Sequence, residues 1–434
     1  MARTQLCTFS LTGVGAVMKA FAEDMVRSLG KTIRSTSFLE TYRTDPKWFS
    51  RMRMLAFSFC VCMILSRIVT SLRNELGTFF ENTLDVDRSI TPQAFSKARR
   101  HIRPEAFHAL FEDTREQVVN ANAVKRFHGY RLFAIDGTDL QLPASDELRM
   151  TYPSAHPSSP KSTRARGSVL CDVLDGYVLD ACLEPAFVGE RTLALRHLEV
   201  YRRFAKPRDI LIMDRGYPAK EMIFQLSRLP GKFLLRIPRS FETAFRSYDA
   251  PDFCTHIECG GARVFIRVVR VSLISGETET LVTNLFSSTM TAEDLRVIYA
   301  LRWGIETAYR NIKDRLSLVR FSGKSKQTVL QDFFACMVFL NVACAFCAET
   351  DEHRQRLDEQ NALKYGYRAN RSACFSFLKR HLSTMLLFAR ALRGMLERLT
   401  NQLIRAVCPV RPNRSFPRSP GRTDHRATDV RRPF

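Results

Sequence analysis

Apolar and polar positions fall into three regimes along the chain. Up to about residue 125 the spacing is mostly helical. Ala56 to Leu72 is apolar with Ser and Arg interspersed, and a second helix is predicted from Thr91-Pro92, where Thr can cap and Pro suits the first helical position. This helix carries Lys97, Arg99 and Arg100, Arg103-Pro104 breaks it, and a third helix runs from Glu105 to about Val119. Two short helices around a tight break, the first ending in cations, suit a helix-turn-helix-like DNA reader. The plainer alternative is a helical bundle with a solvated basic end.

From Tyr130 the pattern becomes strand-like. Tyr130 to Ile135 is one strand, ending at Asp136-Gly137-Thr138. Gly167 to Asp175 and Tyr177 to Glu184 form a hairpin about Asp175-Gly176. A helix follows over 190–204, a continuous apolar strand over Asp209 to Met213 ending at Asp214-Arg215-Gly216, a helix over 220–229 and a strand over 232–237. Arg263 to Ile274 and Glu279 to Leu285 add strands. The third regime is helical again. A long helix opens at Thr291, with Glu293 and Asp294 in its first turn, and runs to about Leu316; others cover 326–349 and 371–405. Met385 to Leu403 could be a dimer helix or a core helix. In residues 409–434 no apolar period survives among seven Arg and five Pro, so a disordered basic tail is expected.

Composition narrows the classes. At 434 residues, 45% hydrophobic and 25% charged, the chain can bury a sizeable core, which excludes wholesale disorder; at ~150 residues per domain it suggests about three domains. A formal net charge of +22 points to a polyanionic partner. Charge alone does not separate nucleic acid from anionic membrane. No unbroken apolar run reaches the ~18 residues that span a bilayer. The longest, Phe333 to Ala348, contains Asn341 and reads as a buried core helix. The N-terminus does not read as a secretory signal. Most of the 12 cysteines lie in apolar stretches, which suits a reducing cytoplasm. Cys344-Ala-Phe-Cys347 and Cys254 to Cys259 have no second ligand pair, so neither reads as a zinc site.

Two carboxylates stand out. Asp136 and Asp214 each follow a hydrophobic strand with a glycine close behind. Such acids can converge on a hard divalent cation; alone, each is a common turn pattern. Then comes Tyr299-Ala-Leu-Arg302-Trp303-Gly-Ile-Glu306, continuing through Arg310 to Lys313. On one continuous helix Tyr299, Arg302, Glu306 and Lys313 share an arc of roughly 60°. A solvated face with spaced ion pairs would look similar. A carboxylate among cations also meets the needs of phosphodiester chemistry.

The spacing Tyr-(2)-Arg-(3)-Glu-(6)-Lys resembles the signature of IS4-type insertion-sequence transposases. By average residue usage it would recur by chance with odds on the order of a few in a thousand. It coincides with Asp136-Gly-Thr and Asp214-Arg-Gly-Tyr217, which are similar to that family's two aspartate motifs, in the right order. The resemblance covers about residues 90 to 350.

It implies an α/β fold: an RNase H-like catalytic core over 126–350 with a β-rich insertion at 238–290, a helical N-terminal DNA-binding region over 1–125 and a helical C-terminal region over 351–408. It implies cut-and-paste transposition at terminal inverted repeats in a bacterial nucleoid. Asp136, Asp214 and Glu306 would be catalytic and would bind two Mg²⁺ ions, with Mn²⁺ as a substitute. Tyr299, Arg302, Arg310 and Lys313 would contact DNA, as would Lys97, Arg99 and Arg100, and Trp303 could stack on a flipped base of a hairpin intermediate. Asp139 is a weaker candidate ligand, a surface role being favoured. The partners would be double-stranded DNA and a second copy of the chain, with no membrane. The alternatives are an inactive DNA-binding repressor derived from a transposase and a related nuclease without strand transfer.

Overall fold

The computed structural model describes residues 21–51, 55–66, 72–81, 90–153, 163–242, 245, 248–272, 278–286, 290–310, 321–361 and 366–410. The described helices ahead of the sheet are α1 (Phe21–Arg34), α2 (Thr36–Tyr42), α3 (Phe57–Ser66), α4 (Leu72–Phe79), α5 (Pro92–Arg99) and α6 (Glu105–Asn120). Thr91 caps α5 by accepting from Ala94 N at 3.2 Å, with Pro92 opening the helix as the sequence predicts.

The α/β part follows in the order β1 (Arg131–Gln141), α7 (Asp146–Thr151), β2 (Arg164–Asp172), β3 (Val178–Pro185), α8 (Glu190–Tyr201), β4 (Asp209–Met213), α9 (Lys220–Ser227) and β5 (Lys232–Arg236). Then come α10 (Arg239–Glu242), β6 (Asp252–Cys259), β7 (Ala262–Ser272) and β8 (Thr278–Thr283). The chain continues with α11 (Ala292–Leu301), α12 (Trp303–Arg310), α13 (Lys326–Asn361), β9 (Tyr367–Ala369), α14 (Arg371–Leu387), α15 (Ala389–Arg405) and β10 (Val407–Pro409).

Eight strands form one mixed sheet in the order β3-β2-β1-β4-β5-β8-β7-β6. Antiparallel β1–β2–β3, with β4 and β5 parallel to β1, is the RNase H-like core. The inserted strands do not fold apart from it: β8 pairs antiparallel with β5 and prolongs the sheet. The turn between β2 and β3 places Gly176 at φ +91°, a conformation glycine takes without strain. Cys254 to Cys259 is strand β6, absent from the sequence reading; its alternating, half-exposed residues give only a weak apolar signal.

Side-chain alternation sets what covers each face. Phe133 packs on Tyr201 of α8 and on Phe204 just beyond it, whereas Gly167 of β2 lies against Phe333 of α13. The 36-residue α13 also packs on α6, α3 and α14, so helices from both ends of the chain share a core. Its buried Asn341 accepts from Val178 N at 2.8 Å and donates to Val178 O at 2.9 Å, satisfying the free edge of β3. The most apolar stretch of α13 is long enough to cross a bilayer, and 89% of it is buried inside the fold, as the core-helix reading expects. The predicted helix over 371–405 is two helices, parted at Phe388, where the backbone is extended. Residues of the basic tail from 411 onward lie outside the described residues.

Candidate active site

The site is built where β1 and β4 part. Their parallel pairing runs from Arg131↔Asp209 to Ala134↔Ile212. Continuing that register sets Asp136 beside Asp214. The far end of the pair is fixed by Arg131, whose guanidinium binds both Asp209 oxygens at 2.6 Å inside the core. The sequence reading ended β1 at Asp136. The strand instead continues to Gln141, because β2 still pairs with it after β4 has turned away. Asp136 is therefore a mid-strand residue that has lost one neighbour, leaving its carboxylate half-buried but reachable.

The two acids have different environments. Burial pushes the Asp136 carboxyl up to about 6; the Gly137 N–H at 2.9 Å and the Arg302 charge pull the other way, while Glu190 and Asp214 add to the rise. For Asp214, burial is outweighed and its carboxyl lies below the usual range. It accepts from Arg215 N at 2.7 Å and from the Tyr299 hydroxyl at 2.8 Å, and it faces Arg302 and Arg236.

The third acid arrives on α12. Thr291 and Asp294 form a reciprocal cap at the start of α11. The single long helix expected from Thr291 is interrupted at Arg302. Just beyond, a side chain at Gly304 would strike the Val173 carbonyl, so only glycine lets α12 lie this close to the β2–β3 turn. The Tyr309 hydroxyl donates to the Asp136 carbonyl oxygen, tying α12 to β1. Arg302 Nη2 lies 3.3 Å from Glu306 Oε1 and 3.8 Å from Asp214 Oδ2. One guanidinium thus sits between the second and third acids.

This donor set suits a hard divalent cation in chemistry: all carboxylate oxygens, with one carboxyl held up by burial and like charge. As they stand, no three acidic, histidine or cysteine side chains among the described residues lie close enough together to hold a metal ion. The Arg302 guanidinium is the stand-in cation between Asp214 and Glu306.

Other sequence expectations change. Tyr299 and Arg302 are buried, at 7% exposure each, and spend their polar groups on the acids rather than presenting them to a DNA backbone. Trp303 is 48% exposed beside them. Arg310 ends α12, and Lys313 lies outside the described residues. Asp139 is exposed and accepts from Arg166 at 3.2 Å, in keeping with a surface role. Lys97 and Arg100 are exposed. Arg99 is not: it is buried, bonded to Asp332 at 2.9 Å, Gln331 at 2.5 Å and Ser322. The α5–α6 turn is clamped by Gln327 and Gln331, which donate to the Ile102 carbonyl, so the pair is anchored to α13 rather than freestanding.

Two features had no sequence signal, and a third, Tyr217, stands out there only as the last residue of the second aspartate motif. Ser168 on β2 donates to the Asp136 carbonyl at 3.2 Å and shares a hydrogen bond with His197 Nε2 at 2.9 Å; Nδ1 of that ring lies 2.7 Å from Asp180 Oδ2. Glu190, first residue of α8, reaches the glycines behind both aspartates. The Tyr217 hydroxyl is buried with no hydrogen-bond partner.

Residues 127–342, about half of the chain and including all three acids, match the family model described as Transposase DDE domain. No curated protein matches the chain. Among solved structures, the chain is similar to one described as a cryo-EM structure of a piggyBac transposase synaptic complex with hairpin DNA. The two are 12% identical, with a TM-score of 0.46, covering 92% of this chain and 87% of that one.

Proposed function

We propose that the chain, which carries a transposase DDE domain over residues 127–342, is an IS4-type insertion-sequence transposase. It cuts DNA at terminal inverted repeats and joins the freed 3′-hydroxyl to a target duplex. The observation that carries this reading is the approach of acids distant in sequence: Asp136 and Asp214 each stand two residues past the last β1–β4 pair, Ala134↔Ile212, and Asp214 and Glu306 flank one guanidinium nitrogen.

Asp136, Asp214 and Glu306 would hold two Mg²⁺ ions, with Mn²⁺ able to substitute; when bound, these ions activate the nucleophile and stabilise the leaving oxygen. The remaining work falls to the chain itself. Tyr299 keeps Asp214 oriented and ionised. Arg302 neutralises Asp214 and Glu306. Tyr309 and Ser168 both bond to the Asp136 carbonyl, which fixes the strand under its carboxylate. Trp303 offers an exposed ring on which an unpaired base can stack. Lys97 and Arg100 meet backbone phosphates. Two copies pair two DNA ends.

The test is strand cleavage and joining on duplexes ending in the element's inverted repeat. With Mg²⁺, the protein should cut at the repeat and join the end to a second duplex. Asp136→Asn, Asp214→Asn and Glu306→Gln should each abolish both steps while retaining DNA binding. Full cutting by any of the three overturns the site. Cutting without joining identifies a nuclease, and binding without cutting a repressor.

A further inference from the structure

We propose that Glu190 is a fourth carboxylate of this site, binding a divalent cation together with Asp136. The inference rests on the metal-dependent reading above and extends it to a residue outside the three motif acids.

The first observation is placement. Glu190 opens α8, directly after Gly189, whose extended backbone turns the chain into the helix. Its Oε1 lies 3.4 Å from where a Cβ on Gly137 would stand, and its Oε2 lies 3.4 Å from where a Cβ on Gly216 would stand. Gly137 follows Asp136, and Gly216 comes two residues after Asp214. The missing side chains at these glycines give the Glu190 carboxylate its place between the two aspartate segments.

The second observation is what surrounds it. Glu190 is half-buried, and among the described residues its carboxylate takes no hydrogen bond or ion pair. It stands near enough to Asp136 for like charge to act between them. The Tyr217 hydroxyl is 1% exposed and has no partner among the described residues, and the charges of Asp136, Glu190, Arg166 and Asp214 all act on it. A buried donor without an acceptor is costly, and this one stands next to the second aspartate motif with its hydroxyl unused. An unpaired carboxylate and an unpartnered hydroxyl thus point to an oxygen-bearing, positively charged ligand shell. A first-turn glutamate that merely complements the helix dipole would not need either glycine.

The test is direct Mn²⁺ binding to the full-length, metal-free protein, read by titration calorimetry and by the electron paramagnetic resonance of free Mn²⁺. Glu190→Gln should weaken one Mn²⁺ about tenfold or more without lowering the thermal midpoint. Glu199→Gln, an exposed change later on α8, should match the unmodified protein. If Asp136→Asn weakens Mn²⁺ while Glu190→Gln binds it normally, the role of Glu190 is overturned and the three-acid site stands. If Asp136→Asn has no effect either, the metal reading itself fails.

Discussion

The Tyr299 hydroxyl donates to Asp214 Oδ1 at 2.8 Å, joining α11 to the end of β4 across 85 residues of chain. The bond favours the ionised carboxylate, so removing it has a definite sign. In Tyr299→Phe the Asp214 carboxyl should rise towards its ordinary value. Losing one hydrogen bond to a charged group is worth about 1.5 kcal/mol, so cleavage should fall about tenfold. Any inflection from Asp214, at lower pH than the limb set by Asp136, should move to higher pH while DNA affinity stays constant. A group with a lowered folded pKa stabilises above its unfolded value and loses that contribution as pH falls through the folded one. The variant should therefore be less stable than its parent near pH 7 and match it in strong acid.

Asp136 has the opposite sign. Its carboxyl is raised from 3.8 to about 6. Its contribution to stability is fully present below the unfolded value and is lost as pH rises through the folded one. Thermal unfolding of metal-free Asp136→Asn from pH 4 to 8 should show a gain of about 1–3 kcal/mol above pH 6, vanishing near pH 4. In the parent, Mn²⁺ binding should weaken as pH drops below about 6, because proton and cation compete for one carboxylate.

Arg302 offers a charge test. Its guanidinium lies between Asp214 and Glu306. Arg302→Gln leaves two facing acids uncompensated, so the metal-free protein should melt lower. Added Mn²⁺ should raise the melting temperature more in this variant than in the parent. An equal rise in both would mean that guanidinium and cation do not share these oxygens.

The basic end of α5 separates into two kinds of cation. Arg99→Ala removes the guanidinium that neutralises buried Asp332 and should cost about 3–5 kcal/mol, read by chemical denaturation. Lys97→Ala with Arg100→Ala should change stability by no more than about 0.5 kcal/mol. If both cations meet phosphates, the slope of log affinity against log salt should drop by about 2.

The same contrast shows what a sequence discloses. The run of three strands, helix, strand, helix and strand was legible because each element repeats its own period over enough residues. Asp136, Asp214 and Glu306 were legible because each sits in a short motif. Arg99 was not, since charge is local information while its partner Asp332 lies 233 residues away. Glu190 was hidden for a similar reason: a first-turn glutamate is ordinary until the glycines it reaches are brought beside it. Strand β6 escaped because a half-exposed strand at the sheet edge alternates too weakly to announce itself. The interruption at Arg302 has no proline to mark it; its trace is Gly304, whose meaning depends on the Val173 carbonyl.

Tyr299 and Tyr309 stand on opposite sides of that interruption, one moored to Asp214 and the other to the Asp136 peptide. Each short helix is thus guyed to a different strand, like a mast stayed from two sides. Bending at the joint between them would have to break one of these two bonds to spread the acids. These two moorings are made as the protein folds, so a cation that arrives later has only side chains to draw together and no backbone to move.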